Sequence, residues 1–138
     1  MSFVLDASAA LAWVYERGDP AEADKARVLL VRLDDEDALA PELWHLEVLN
    51  ALVVGQRKGA ISVAKATDFL ARLDALPIRT QSESLAGRKE QLFSLAREHD
   101  LSAYDAAYLD LAIRSGCALA TFDRKLGRAR DKAGVAPA

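Results

Sequence analysis

The sequence predicts a doubly wound α/β domain, a short parallel β-sheet flanked by helices in three layers, and three observations carry that expectation. Short apolar runs of strand type alternate with longer segments of helical period. Strands separated by helices pair in parallel, because parallel neighbours need long crossovers. The chain has 138 residues, 51% hydrophobic and 28% charged, which suits one soluble domain around one core.

The elements follow in order. Residues 2–5 (SFVL) make a first strand, and residues 7–16 a first, alanine-rich helix. Asp19 before Pro20 is a cap with proline at the first helical position, so a second helix runs to Leu33. The acidic run from Asp34 to Asp37 is a solvated turn. Residues 38–40 form a short strand, and Pro41 opens a long helix that Gly59 ends. Another helix runs from Ser62 to Leu73. Residues 76–79 (LPIR) read as an edge strand, because proline cannot donate to a ladder. Thr80 and Glu83 have capping-box spacing for a helix that reaches Glu98. Ser102 starts the next helix and Gly116 ends it; a strand at 118–121 and a basic helix follow. No repeat, linker or low-complexity segment divides the chain, so residues 1–138 are expected to form a single domain.

Composition narrows the function. Charges interrupt every apolar stretch well short of the roughly 18 residues a membrane span needs, and the N-terminus lacks a basic segment followed by an apolar one. The expected location is the cytoplasm, with no membrane contact. A single cysteine, Cys117, excludes an internal disulfide and a thiolate metal site. The net charge of −3 does not exclude nucleic acid: were four of the 21 acidic residues metal ligands, 17 would face 18 Lys and Arg. Walker, GxGxxG, GxSxG and HExxH motifs are absent, and His45 and Glu47 lack the cysteine pair a zinc deaminase requires.

Four acids need explanation. In FVLDAS, Asp6 ends a strand; it is either the N-cap of the next helix, as Ser8 could also be, or a metal ligand. In PELWHLEVLNALVV, a helix apolar on nearly every side, Glu47 lies among Leu43, Trp44, Ala51 and Val54. A lone buried carboxylate needs a cation, a donor or a proton; an exposed edge beside His45 or Asn50 is the plainer placement. Asp105 is at N3 of a capping box begun by Ser102, yet shares the inward face with Leu109 and Ala112. Asp110 lies on another face and is expected to be a surface charge paired with Arg114. Asp123 follows the last strand, at the same sheet edge as Asp6, where ligands bind in open α/β sheets. Such acids on four segments suit Mg²⁺ or Mn²⁺, hard cations that prefer oxygen donors.

FVLDAS, PELWHLEVLNAL, LSAYDAAYLDLA and ATFDRKL, in this order, resemble the motifs of PIN-domain ribonucleases, most closely the VapC-type toxins of toxin–antitoxin pairs, across almost the whole chain. The resemblance implies that Asp6, Glu47, Asp105 and Asp123 bind Mg²⁺ or Mn²⁺ and catalyse endonucleolytic RNA cleavage, with Ser8, Asn50 and Thr121 in support. It implies attack by a metal-activated water that leaves a 5′-phosphate and a 3′-hydroxyl, with no protein nucleophile. It further implies a homodimer and a cognate antitoxin as partners. Arg124, Lys125, Arg128, Arg130 and Lys132 either hold flanking RNA phosphates or form a solvated helix face. Trp13, Tyr15 and Leu29 are candidates for an apolar partner surface, with core packing the plainer role; Trp44 belongs to the core. Two rivals stand beside this reading. A receiver-like phospho-acceptor would need its acids at strand ends, and a PIN scaffold that only binds proteins would usually lack one of the four acids.

Overall fold

The alternation in the sequence becomes a four-stranded parallel sheet in the computed structural model, which describes residues 1–16, 18–82 and 84–138. Strands β1 (Ser2–Leu5), β2 (Asp37–Pro41), β3 (Ile78–Gln81) and β4 (Ala118–Ala120) lie in the order β3-β2-β1-β4. Phe3, Val4 and Leu5 are fully buried in the central strand, as expected for a sheet covered on both faces. In register, Phe3 lies opposite Ala38 on one side and Ala118 on the other.

Among the described residues six α-helices connect these strands, α1 (Ala7–Leu11), α2 (Pro20–Arg32), α3 (Leu43–Arg57), α4 (Val63–Asp74), α5 (Lys89–His99) and α6 (Ala103–Ser115), and α7 (Arg124–Lys132) follows the last. The chain steps outward from β1 through β2 to β3, then returns past β1 to β4. Right-handed crossovers therefore place α1 to α4 on one face and α5 and α6 on the other. That reversal makes the ends of β1 and β4 the switch point of the sheet.

Local chemistry accounts for most element boundaries. Asp19 accepts from the Ala21 N–H and Pro20 begins α2, as expected. Ser62 and Ser102 cap α4 and α6, accepting from the Lys65 and Asp105 N–H groups. Gly116 ends α6 with φ of 63°, a left-handed conformation that favours glycine. α1 stops at Leu11, earlier than expected, and residues 12–15 continue as a hydrogen-bonded turn. Two long side chains pin that turn: Trp13 Nε1 donates to the Ala26 carbonyl at 2.8 Å and the Tyr15 hydroxyl to the Ala51 carbonyl at 3.0 Å. The Tyr15 hydroxyl also occupies the space a Cβ at Gly55 would take, so this close approach requires glycine. Trp13, Tyr15, Leu29 and Trp44 thus all pack in or against the core.

Three expectations need correction. Thr80 does not open a helix: it lies in β3 opposite Ala40, and its hydroxyl donates to Glu42 Oε1, so ladder pairing overrides the capping signal. The helix begins only at Lys89, after a 3₁₀ turn at Leu85–Arg88; Glu83 lies outside the described residues. Asp110 is no surface charge but is 5% exposed, held by Arg88 and by the expected partner Arg114. Helix α3, in turn, is less buried than its composition suggests: Leu46 is 71% exposed, and Leu49 and Val53 share its side of the helix.

The Asp110 network makes a stability prediction. Truncation to Ala leaves two guanidinium groups without their shared acceptor, and Asp110→Ala should lower stability by about 1–3 kcal/mol. Urea unfolding measures this. Activity per folded molecule should match the parent, since Asp110 stands on another face of α6 from Asp105.

Candidate metal centre

Where β1 leaves the core, the chain turns directly into α1 with Asp6 at the N-cap position. Its side chain makes no capping bond, although it is only 4% exposed. Instead Ser8 Oγ and Thr121 Oγ1 each donate to Asp6 Oδ2 at 2.7 Å. Each hydroxyl is itself oriented by a backbone donor: the Phe122 N–H to Ser8 at 3.0 Å and the Asp123 N–H to Thr121 at 3.0 Å. The loop after β4 therefore aims both hydroxyl protons at one oxygen of Asp6. Neither hydroxyl takes Oδ1.

The other acids come from separate elements and are near enough for their charges to act on one another. Glu47, half-buried on α3, accepts from the Tyr108 hydroxyl of α6 at 2.6 Å. Asp105, half-buried in the first turn of α6, gives its N–H to the Ser102 cap. The capping-box reading of Asp105 is thus correct for its backbone, and the Ser102 side chain also bonds its carboxylate, which opposes but does not cancel the effects that raise it. Asp123 is exposed and caps α7, with Oδ1 accepting from the Leu126 N–H at 2.8 Å. Asn50 lies exposed further along α3.

Electrostatics link the four. Burial pushes the Asp6 carboxyl up; the Thr121 and Ser8 bonds oppose this, and the charge of Asp123 adds to it. Burial also raises Glu47, with Tyr108 pulling down and the charges of Asp6 and Asp105 pushing up. Asp105 is pushed up to about 6, first by burial, then by Asp6 and Asp123. The Tyr108 hydroxyl is raised strongly by burial and then by its bond to Glu47. No basic side chain among the described residues is a source of relief for Asp6, Glu47 or Asp105.

Such a set fits a hard divalent cation by the chemistry of its donors: carboxylate oxygens alone, mutually repelling and without a countercharge. Among the described residues no three Asp, Glu, His or Cys side chains close tightly enough to grip an ion. A separate cleft of about 190 Å³ beside α6 is lined by Arg88, Asp110 and Arg114 rather than by the candidate ligands.

Tyr108 is the participant that sequence reasoning missed. Its signal was legible: it follows Asp105 by three residues in LSAYDAAYLDLA, and a buried tyrosine hydroxyl needs a partner. Of the five basic residues near the C-terminus, Lys125 pairs with Asp100, while Arg130 pairs with Asp131 and is largely buried. Arg124, Arg128 and Lys132 are exposed.

A short parallel sheet flanked by helices in three layers is the architecture of a PIN domain, and the chain belongs to that family, whose description, PIN domain, matches residues 3–132. Among its relatives is ribonuclease VapC3 of Mycobacterium tuberculosis, 34% identical over 128 residues, covering 91% of this chain and 85% of that protein. Another is ribonuclease VapC3 of Pyrobaculum aerophilum, 32% identical over 130 residues, covering 91% of this chain and 92% of the relative. The crystal structure of PAE2754 from Pyrobaculum aerophilum superposes with a TM-score of 0.66 at 28% identity, over 94% of this chain and 87% of that one. FitAcB from Neisseria gonorrhoeae shares the fold, with a TM-score of 0.62 at 19% identity over 99% of this chain and 96% of that one. No helix among the described residues is long and apolar enough to cross a membrane.

The raised Asp105 carboxyl gives a pH dependence with a definite sign. The folded, metal-free protein holds this proton more tightly than the unfolded chain, the carboxyl being pushed up to about 6 from an ordinary value of 3.8. Stability from this group is therefore present below about pH 4 and is lost as pH rises through about 6. In chelator, the melting temperature of Asp105→Asn should gain on that of the parent between pH 4 and pH 7. A constant difference across that window would remove the shift.

Proposed function

We propose that this protein is a metal-dependent endoribonuclease and the toxin of a type II toxin–antitoxin pair. The observation that carries the reading is electrostatic: the Asp6, Glu47 and Asp105 carboxyls are all raised, each in part by the charge of another of the four acids, and no basic side chain among the described residues offsets those three. The relatives are ribonucleases, which supports RNA as the substrate class. With its family settled, the receiver-like alternative falls away. The binding-only scaffold loses support because all four acids are retained.

In this reading the four carboxylates hold Mg²⁺ or Mn²⁺, which when bound supplies Lewis-acid activation of water and offsets charge on the phosphodiester. Ser8 and Thr121 orient Asp6. Ser8 orients Asp6 in this reading, its hydroxyl donating to that carboxylate while accepting from the Phe122 N–H. Hydrolysis by water leaves a 5′-phosphate and a 3′-hydroxyl. Asn50 keeps a supporting role at the exposed border of the site. Arg124, Arg128 and Lys132, all exposed, would hold flanking phosphates in this reading, which positions RNA without reading its sequence. A cognate antitoxin and a homodimer complete the proposal, and exposed Leu46, Leu49 and Val53 offer apolar surface of the kind protein contacts use.

Purified protein incubated with total cellular RNA should cleave it in Mg²⁺ or Mn²⁺, fail in excess chelator, and not recover in Ca²⁺, whose looser coordination misplaces the water. Mapping the cut ends checks the product chemistry. Asp6→Asn or Asp105→Asn should lower the rate by at least about two orders of magnitude, the scale of losing a main electrostatic contribution. Undiminished cleavage in chelator would end the metal mechanism. Expression alone should slow growth, and co-expression with the adjacent small partner should relieve it; normal growth with intact RNA at high expression would remove the toxin role.

A further inference from the structure

We infer that Tyr108 is a positioning residue for the candidate metal centre: its buried hydroxyl fixes one oxygen of Glu47 and leaves the other to meet the ion. The inference rests on the ligand set proposed above and adds a residue to it.

Three observations carry it. Tyr108 is fully buried, so its ring is held by packing and its hydroxyl has no solvent to turn to. The hydroxyl donates to Glu47 Oε1 at 2.6 Å, a short bond of the charge-assisted kind, across 61 residues of sequence. And Tyr108 follows Asp105 by three residues on α6, so one helix both carries a candidate ligand and orients a second on α3.

The alternative is that Glu47 merely satisfies a buried phenol. A backbone carbonyl would do that without bringing another carboxylate into an acidic crevice. Asp6 is treated in the same manner: two hydroxyls converge on Oδ2 and neither takes Oδ1. In both cases a hydroxyl donor takes one oxygen of a carboxylate. Outer partners of this kind fix ligand orientation, and their loss typically weakens metal binding 10- to 100-fold.

The test is calorimetric titration of Mn²⁺ into the full chain as parent, Tyr108→Phe, Glu47→Gln and the double variant. Circular dichroism and melting in chelator confirm that each is folded. Tyr108→Phe keeps the ring and removes only the hydroxyl, and should weaken Mn²⁺ binding about 10- to 100-fold. Its RNA cleavage should fall at limiting Mn²⁺ and recover toward the parent at saturation. In the Glu47→Gln background the same change should have no further effect on Mn²⁺ affinity, whereas a purely structural role would act independently of Glu47. If Tyr108→Phe binds Mn²⁺ as tightly as the parent while Glu47→Gln loses binding, the positioning role is wrong and the ligand set stands. If Glu47→Gln itself keeps parental affinity, the ligand assignment fails and the positioning role with it. Should Tyr108→Phe melt too low to titrate, Tyr108→His provides a smaller ring with a polar edge, and recovery of Mn²⁺ affinity relative to Tyr108→Leu decides in the same way.

Discussion

A carboxylate taken out of water at the end of a central strand loses hydration that hydroxyl donors replace only in part, and Asp6 is held in that position. The surrounding architecture follows from keeping it there. Ser8 must sit in the first turn of α1, Thr121 at the end of β4, and the loop after Thr121 must present two backbone N–H groups to orient both hydroxyls. This ties β1 to β4 at the point where the strand order reverses, so the geometry of the switch point and the geometry of the acid are one problem.

The fold was largely legible because its signals are local. Pro20 after Asp19, the serine caps of α4 and α6, and Gly116 each act within a few residues, and each falls where the sequence puts it. The failures are contests between local and distant partners. Thr80 carries a capping signature, but β3 finds its ladder on β2 and the hydroxyl finds Glu42. Asp110 was read through its i+4 neighbour Arg114, which is correct, while Arg88, 22 residues away, buries it.

The candidate site divides in the same manner. Asp6 and Asp123 were visible as acids closing strands, and Asp105 by its helix face. Glu47 demanded a judgement about burial in an apolar helix, and α3 turned out to expose Leu46 while half-burying Glu47. What no periodicity could display is the pairing of Glu47 with Tyr108, since it depends on how α3 and α6 meet. Asp123 shows why a single role per residue is a poor assumption: one oxygen caps α7 while its charge is felt by Asp6 and Asp105.

The two outer strands are finished differently. β4 is paired beyond the sheet by the C-terminal segment, through a bridge between Leu119 and Pro137 and bonds from Leu119 N to the Ala136 carbonyl and from Ala138 N to the Leu119 carbonyl. Proline there cannot pass the ladder outward. β3 follows Pro77 and carries Arg79, whose charge is paired to Asp37 of β2. The β4 border is thus poorly suited to recruit a strand from another chain, which guards that side against edge-to-edge aggregation. A peptide that seeks this protein by extending its sheet therefore meets no vacant template at β4.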